Sequence, residues 1–153
     1  RSSYLPHAVL KRPPHGFGPR IDPVYHVPSF HPGIDMTARR GTPIYATADG
    51  KVTYAGHSIG GYGIKVEIDH GYHYSTLYAH CSKVNVRKGE KVVRGQKIAE
   101  IGNTGKSIAP HLHYEVRIDG EPVNPASYIF NDLDIESYYQ LLEAAARSTK
   151  SLD

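Results

Sequence analysis

The sequence is poor in cysteine, tryptophan and methionine. It contains one cysteine, Cys81, one methionine and no tryptophan in 153 residues. A single cysteine excludes an internal disulfide framework and a cysteine-rich zinc knuckle, so any metal site must use histidine, aspartate or glutamate. We expect Cys81 to be a small buried or half-buried thiol rather than a ligand or a nucleophile.

Long apolar segments and a strong charge of one sign are also missing. The apolar runs are only a few residues long, so the sequence predicts no membrane span. The chain has 18 Lys and Arg against 15 Asp and Glu, a net charge of +3 that is not concentrated into a nucleic-acid-binding stripe. With 39% hydrophobic residues it can bury the core of one domain, and we expect a monomer.

Residues typical of strands and tight turns are abundant, with 12 Tyr, 15 Gly and 11 Pro. Apolar and polar residues alternate over residues 63–69 and 111–118, which predicts two strands with one polar face each. Turn signals follow both strands, at His70-Gly71 and at Asp119-Gly120. The sequence therefore predicts a mainly β fold.

The two ends of the chain differ from this β body. The proline-rich start has no structural period and predicts an irregular N-terminal arm or linker over residues 1–16, ahead of a β domain over 17–130. Helical spacing behind Asp134, a candidate N-cap, predicts one C-terminal helix and tail within 131–153. The chain begins at Arg1 with no charged-then-apolar signal segment, so we expect a processed or excised domain.

His111-Leu112-His113 is the first motif with chemical meaning. On a strand, residues i and i+2 point to the same side, so the two imidazoles can reach one small object such as a metal ion. An isolated His-x-His also occurs on solvated polar faces, and the motif alone leaves both interpretations open.

His31 and Asp35 form a second candidate pair. Pro32 and Gly33 stand between them and argue against a helix, so the pair must converge through a loop that enters a strand. Together with one strand histidine they would make a His2Asp set with an open fourth position, as in catalytic zinc sites.

His80 is a further candidate, at the end of the segment Tyr78-Ala79-His80. On a regular strand His80 points to the same side as Tyr78. Leu77 points to the other side, which we expect to be the apolar one. A polar side chain at a strand end beside a cleft suits a proton-transfer group. We expect surface or local structural roles for the remaining histidines, which are His7, His15, His26, His57, His70 and His73.

Several short segments follow one another in a fixed order along the chain. They are FHPGID (30–35), GTPIYA (41–46), GGYG (60–63), YAH (78–80) and PHLHYEVR (110–117). In this order they resemble the lysostaphin-type zinc metallopeptidases, which are peptidoglycan endopeptidases. The resemblance extends from about residue 16 to about residue 128.

The resemblance implies a twisted antiparallel sheet with a groove. It also implies one Zn²⁺ bound by His31, Asp35 and His113, and a catalytic pair formed by His80 and His111. One histidine of the pair would activate water, and the other would stabilise the oxyanion or protonate the leaving amine, and the sequence leaves open which does which. No ligand is missing, in contrast to degenerate relatives that only activate other enzymes.

Departures from the family pattern are few. Cys81 stands where an aliphatic residue is usual, and Tyr114 replaces the commoner phenylalanine. Tyr25, in the loop before His31, is a candidate oxyanion donor, although most of the tyrosines must simply pack.

The implied activity is hydrolysis of peptide cross-links of bacterial peptidoglycan. The loops over residues 19–30, 58–62 and 103–109 are short, and an open groove favours a D,D-endopeptidase acting on branched stem peptides over a glycyl-glycine endopeptidase. Such a substrate implies a periplasmic, cell-envelope or secreted protein. A non-catalytic wall-binding or activator module is the main alternative. Residues 86–98 also resemble half of a biotinyl or lipoyl carrier domain but lack its modified lysine.

Overall fold

The computed structural model describes residues 17–21, 26, 28–125, 129–130 and 133–134. The predicted N-terminal arm lies outside these residues, and so does Tyr25. The predicted C-terminal helix also falls outside them, apart from Leu133–Asp134, which form a short strand. No helix in the described ranges has the length and apolar character needed to cross a membrane.

The elements of the described part of the chain are strands, as the sequence predicted. In chain order they are β1 (Gly18–Ile21), β2 (Pro28–His31), β3 (Ile34–Thr37), β4 (Pro43–Tyr45), β5 (Gly50–His57), β6 (Ile64–Gly71), β7 (Tyr74–Val84), β8 (Lys91–Val92), β9 (Lys97–Ile101), β10 (His111–Ile118), β11 (Glu121–Val123), β12 (Ile129–Phe130) and β13 (Leu133–Asp134).

One antiparallel sheet of nine strands forms the body of the molecule. Its main path runs β11-β10-β7-β6-β5-β8, while β3 pairs with β10, and β9 pairs with both β7 and β4. Strands β1 and β2 form a separate two-stranded ribbon, and His31 is the last residue of β2. The predicted antiparallel β architecture is confirmed.

The hydrophobic core lies against one face of the central strands. Val66 and Ile68 of β6 are fully buried, and Leu112 and Val116 of β10 are at most 1% exposed. These are the apolar positions of the two predicted alternating segments, so the alternation identified the core face correctly. The turn between β6 and β7 falls on Tyr72 and His73, both with positive φ, just after the predicted His70-Gly71.

A glycine allows β3 to lie close to β10. A Cβ atom on Gly33 would lie 2.2 Å from the carbonyl oxygen of Tyr114, so any side chain there would force the two segments apart. With glycine in place, β3 pairs with the first half of β10 and Asp35 lies directly opposite His113.

His80 reaches the polar face through a β-bulge, and the alternation predicted for β7 is wrong at this point. Tyr78, not Leu77, belongs to the main hydrophobic cluster. Between Tyr78 and Cys81 the strand contains one residue more than the facing segment of β6, and His80 has a left-handed φ of 63°. The bulge re-aims the His80 side chain toward the face that carries His113.

Candidate metal centre

His31, Asp35 and His113 bring one donor atom each to a common point. Nε2 of His31 lies 3.2 Å from Oδ1 of Asp35 and 3.3 Å from Nδ1 of His113, and Nδ1 of His113 lies 2.9 Å from the same Oδ1. Both histidines are buried, while Asp35 is 13% exposed. These three residues therefore form a group that can hold a metal ion.

The spacing of these atoms fits a tetrahedral metal. Bonds of about 2.0–2.1 Å from a tetrahedral ion place its ligand atoms about 3.3 Å apart. The three observed separations lie between 2.9 and 3.3 Å. The donor set thus needs little rearrangement to bind a small divalent cation.

The electrostatics of the group favour a cation. Burial raises the pKa of Asp35, but hydrogen bonds from His113 and His31 outweigh it and hold the pKa well below its usual range. Burial lowers the pKa of His113, but the carboxylates of Asp35 and Glu115 outweigh it and raise the pKa to about 9. An ionised carboxylate among imidazoles attracts positive charge, whether a proton or a metal ion.

Two further imidazoles lie beside these donors. The ring of His80 lies 4.8 Å from that of His111 and 5.9 Å from that of His113, measured between centroids. Nε2 of His111 lies 3.5 Å from Oδ1 of Asp35. The structure therefore brings together all five histidine and aspartate residues singled out from the sequence.

Backbone carbonyls orient both of these imidazoles. Nδ1 of His80 lies 2.7 Å from the carbonyl oxygen of Thr104, and Nδ1 of His111 lies 2.7 Å from that of Ala109. A carbonyl can only accept, so each Nδ1 donates its proton, and the lone pair of the neutral ring is on Nε2. Burial, with a contribution from His111, lowers the pKa of His80 to about 4, which keeps this ring neutral at neutral pH.

Sequence reasoning gave no role to Thr104, which links His80 to the strands around it. Its carbonyl accepts from His80, and its Oγ1 donates to the carbonyl of Cys81 at 2.7 Å and accepts from the backbone N–H of Ile64 at 3.1 Å. Gly63, with a φ of +69°, lies so close that a Cβ there would be 2.5 Å from Thr104. Such a loop contact leaves no periodic signal in the sequence.

Glu115 is a second residue without a predicted role, and it lies directly behind His113. Its Oε2 accepts from Nε2 of His113 at 2.8 Å and from the Tyr62 hydroxyl at 2.5 Å, while Oε1 accepts from Arg117 at 2.8 Å. The alternation over residues 111–118 had already placed Glu115 and Arg117 on the His113 face. That alternation was the signal that pointed to them.

Comparisons with known proteins identify the family. Residues 29–125 match the profile of Peptidase family M23, and the chain belongs to this family. It is 49% identical over 111 residues to the DD-carboxypeptidase/endopeptidase Mpg of Neisseria meningitidis. The aligned region covers 72% of this chain and 25% of that protein. It is also 45% identical over 97 residues to the murein hydrolase activator NlpD of Salmonella typhimurium, covering 63% of this chain and 26% of the activator.

Solved structures agree with this assignment. The catalytic domain of lysostaphin from Staphylococcus simulans is 33% identical, with a TM-score of 0.67, and the match covers 72% of this chain and 86% of that one. A zinc containing peptidase from Vibrio cholerae is 42% identical, with a TM-score of 0.65, and the match covers 71% of this chain and 34% of that one. The resemblance to lysostaphin-type enzymes is confirmed, and this chain spans about a quarter of the length (25%) of its Neisseria relative.

Proposed function

We propose that this chain is a zinc-dependent endopeptidase that hydrolyses peptide cross-links of bacterial peptidoglycan. The observation that carries the proposal is the convergence of donor atoms from His31, Asp35 and His113 beside the two lone-pair Nε2 atoms of His80 and His111. A metal site next to proton-transfer groups is what metal-assisted peptide hydrolysis requires. Membership of a peptidase family supports the same conclusion.

Zinc is the metal that we propose for the group formed by His31, Asp35 and His113. Two nitrogen donors and one carboxylate oxygen, without a thiolate, are typical of catalytic zinc sites, where three protein ligands leave a position open. When bound there, zinc would supply Lewis-acid activation of a peptide carbonyl and of water. The Vibrio cholerae relative described as a zinc containing peptidase supports this choice of metal, and we propose one ion for the single donor set.

His80 and His111 are the proposed proton-transfer residues. Each ring donates through Nδ1 to a backbone carbonyl, so its Nε2 is directed elsewhere and can take up a proton. One of them removes a proton from the attacking water, and the other, once protonated, donates to the oxyanion or to the leaving amine. Their ring centroids lie 4.8 Å apart, which supports two proton transfers at one site.

For the bond that is cut, we propose the D,D cross-link between stem peptides. The loops over residues 58–62 and 103–109 are short, and the backbone of Lys106 donates to the carbonyl of Gly61 at 2.7 Å, which ties them together. We expect short loops beside the proposed metal ligands to leave more room for a branched peptide than long loops would. The name of the Neisseria relative, a DD-carboxypeptidase/endopeptidase, supports this choice over glycyl-glycine cleavage.

A second candidate function is activation of another murein hydrolase, favoured by the 45% identity to an activator over 97 residues. One experiment separates the candidates: zinc-loaded protein is incubated with cross-linked wall fragments and with pentaglycine, and products are followed by mass spectrometry. We expect monomeric muropeptides and intact pentaglycine, with His113→Ala inactive. Preferential pentaglycine cleavage would overturn the bond assignment, and no hydrolysis of either substrate would favour the activator.

The setting of the protein follows from its proposed substrate. We propose a periplasmic, cell-envelope or secreted location, because peptidoglycan lies outside the inner membrane. The family match over residues 29–125 supports a catalytic domain within the proposed 17–130. Light scattering of the purified chain would test the expected monomer.

A further inference from the structure

Glu115 is a fully buried carboxylate, with 0% exposure, on the same strand as His113. We propose that Glu115 is a positioning residue that holds His113 in the orientation and tautomer needed to bind the metal. The inference rests on the proposed zinc function, since it concerns a residue that touches a proposed ligand and not the metal itself. Proteins commonly orient a metal-binding histidine by hydrogen-bonding its second ring nitrogen.

The hydrogen bond between the two residues sets which ring nitrogen keeps its proton when a metal binds. Nε2 of His113 lies 2.8 Å from Oε2 of Glu115, and an ionised carboxylate can only accept, so Nε2 carries the proton. Nδ1 of the same ring lies 3.3 Å from Nε2 of His31 and 2.9 Å from Oδ1 of Asp35, so it is the nitrogen that can give up its proton to a metal ion. Glu115 keeps the other proton on Nε2 and thereby leaves Nδ1 as the metal-binding atom.

Three contacts hold Glu115 itself in place. Arg117 donates to Oε1 at 2.8 Å, and the Tyr62 hydroxyl donates to Oε2 at 2.5 Å. Arg117 also donates to the Tyr62 hydroxyl at 3.0 Å, which closes the network. A buried carboxylate without partners would be costly, and these donors satisfy its oxygens and fix its rotamer.

The ring of Tyr62 also packs against His113. Their centroids are 5.7 Å apart with the planes tilted by 35°. The His113 ring is thus held by a hydrogen bond to Glu115 and by a ring contact with Tyr62. These side-chain contacts add to the backbone pairing of His113 with Asp35 and Ala79.

The test compares Glu115→Gln with a matched control, Glu67→Gln. Glu67 is a register neighbour of Leu77, as Glu115 is, but its carboxylate pairs with Lys65 at 2.5 Å. Zinc affinity is measured by competition with a chromogenic chelator. We expect Glu115→Gln to raise the zinc Kd about 10- to 100-fold, the usual effect of such a partner, and Glu67→Gln to change it less than about twofold.

A second measurement needs no substitution and covers the case in which Glu115→Gln fails to fold. Nitrogen-15 NMR of zinc-loaded wild-type protein reports which imidazole nitrogen of His113 carries a proton, with the ring assigned through its proximity to Tyr62. We expect a slowly exchanging proton on Nε2 and none on Nδ1. A proton on Nδ1 would overturn the inference.

The positioning role of Glu115 and the proposed zinc function can be overturned separately. Zinc bound by wild-type protein with an equal Kd in Glu115→Gln would overturn the positioning role alone. A wild-type protein that binds no zinc would overturn the proposed function, and this inference with it. Thermal melting of both metal-free variants serves as the check that a raised Kd reflects the site and not unfolding.

Discussion

Asp35 and His113 are direct partners across β3 and β10, with Oδ1 of one 2.9 Å from Nδ1 of the other. The backbone ladder therefore fixes two of the three proposed metal ligands relative to each other. His31 lies at the end of β2, and the short link through Gly33 connects it to β3. A site built on strands in this way is largely formed before the metal arrives, and this determines what each substitution should do.

Loss of any one proposed ligand should abolish metal binding and activity together. We expect His31→Ala, Asp35→Ala and His113→Ala each to contain little zinc, because two remaining ligands do not hold the ion in a catalytic geometry. Metal analysis by atomic emission measures this, and His73→Ala is the control, since His73 pairs with Asp119 at an exposed turn. Full zinc content in His113→Ala would contradict the assignment.

Substitution of the proposed proton-transfer residues should separate chemistry from binding. His80→Ala and His111→Ala are expected to retain zinc and a folded circular dichroism spectrum but to lose about 100-fold or more in turnover. His111 is the sharper test, because its Nε2 lies only 3.5 Å from Oδ1 of Asp35. If His111→Ala were purified without zinc, His111 would have to be counted among the ligands.

Removal of the metal should stop hydrolysis without unfolding the domain. The hydrophobic cluster that includes Ile44, Val66 and Ile98 contains none of the proposed ligands, so the core does not depend on the metal. We expect chelator-treated protein to be inactive, to keep its far-ultraviolet circular dichroism spectrum, and to recover activity when zinc is added back. Cooperative unfolding on chelation would show that the metal is structural.

Much of the sheet was predictable because its two faces differ in polarity. Alternation over residues 111–118 identified β10 and placed His113 on the polar face, where the structure has it. The approach of His31 to His113, across 82 residues, follows from the pairing of β3 with β10, and periodicity within one segment cannot show such a pairing. For this contact the resemblance to a known family was needed.

The orientation of His80 shows a different limit of sequence reasoning. Strict alternation groups His80 with Tyr78, which is buried in the core. The extra residue of the bulge and the left-handed backbone of His80 reverse that grouping, and a bulge at a non-glycine residue has no local sequence signal. The structure thus brings His80 to the other histidines in a way that the predicted alternation does not explain.

Acidification should remove a contribution of His70 to stability. Its Nδ1 lies 2.8 Å from the Asp49 carbonyl and its Nε2 lies 2.7 Å from Oγ1 of Thr76. Burial lowers the pKa of His70, against smaller opposing effects of Asp49 and Asp69. Folding therefore favours the neutral ring, and the stabilisation is complete above the unfolded pKa of about 6.5 and is lost as the pH falls below it.

This pH dependence is measured by urea unfolding of metal-free wild-type protein and of His70→Gln, at about pH 8 and at about pH 5. We expect the stability advantage of the wild type over the variant to shrink at the lower pH. An advantage that grew on acidification would mean that the folded state favours the protonated ring, opposite to what its burial predicts.

Two buried tyrosines should differ in what their hydroxyl groups contribute. The Tyr78 hydroxyl lies 3.1 Å from the backbone nitrogen of Thr47, 3.0 Å from Oγ1 of Thr47 and 2.9 Å from Oγ1 of Thr76. Removing it leaves the buried Thr47 N–H without this acceptor, so Tyr78→Phe should lower the free energy of unfolding by about 1–3 kcal/mol.

The Tyr114 hydroxyl lies 2.9 Å from Oγ1 of Thr47, a group that keeps Tyr78 as a partner. We therefore expect Tyr114→Phe to cost less, about 0.5–1.5 kcal/mol. Urea denaturation measures both, with the 91% exposed Tyr72 as the site of a silent control, Tyr72→Phe. A larger loss for Tyr114→Phe than for Tyr78→Phe would show that the hydroxyl of Tyr114, and not that of Tyr78, organises this buried network.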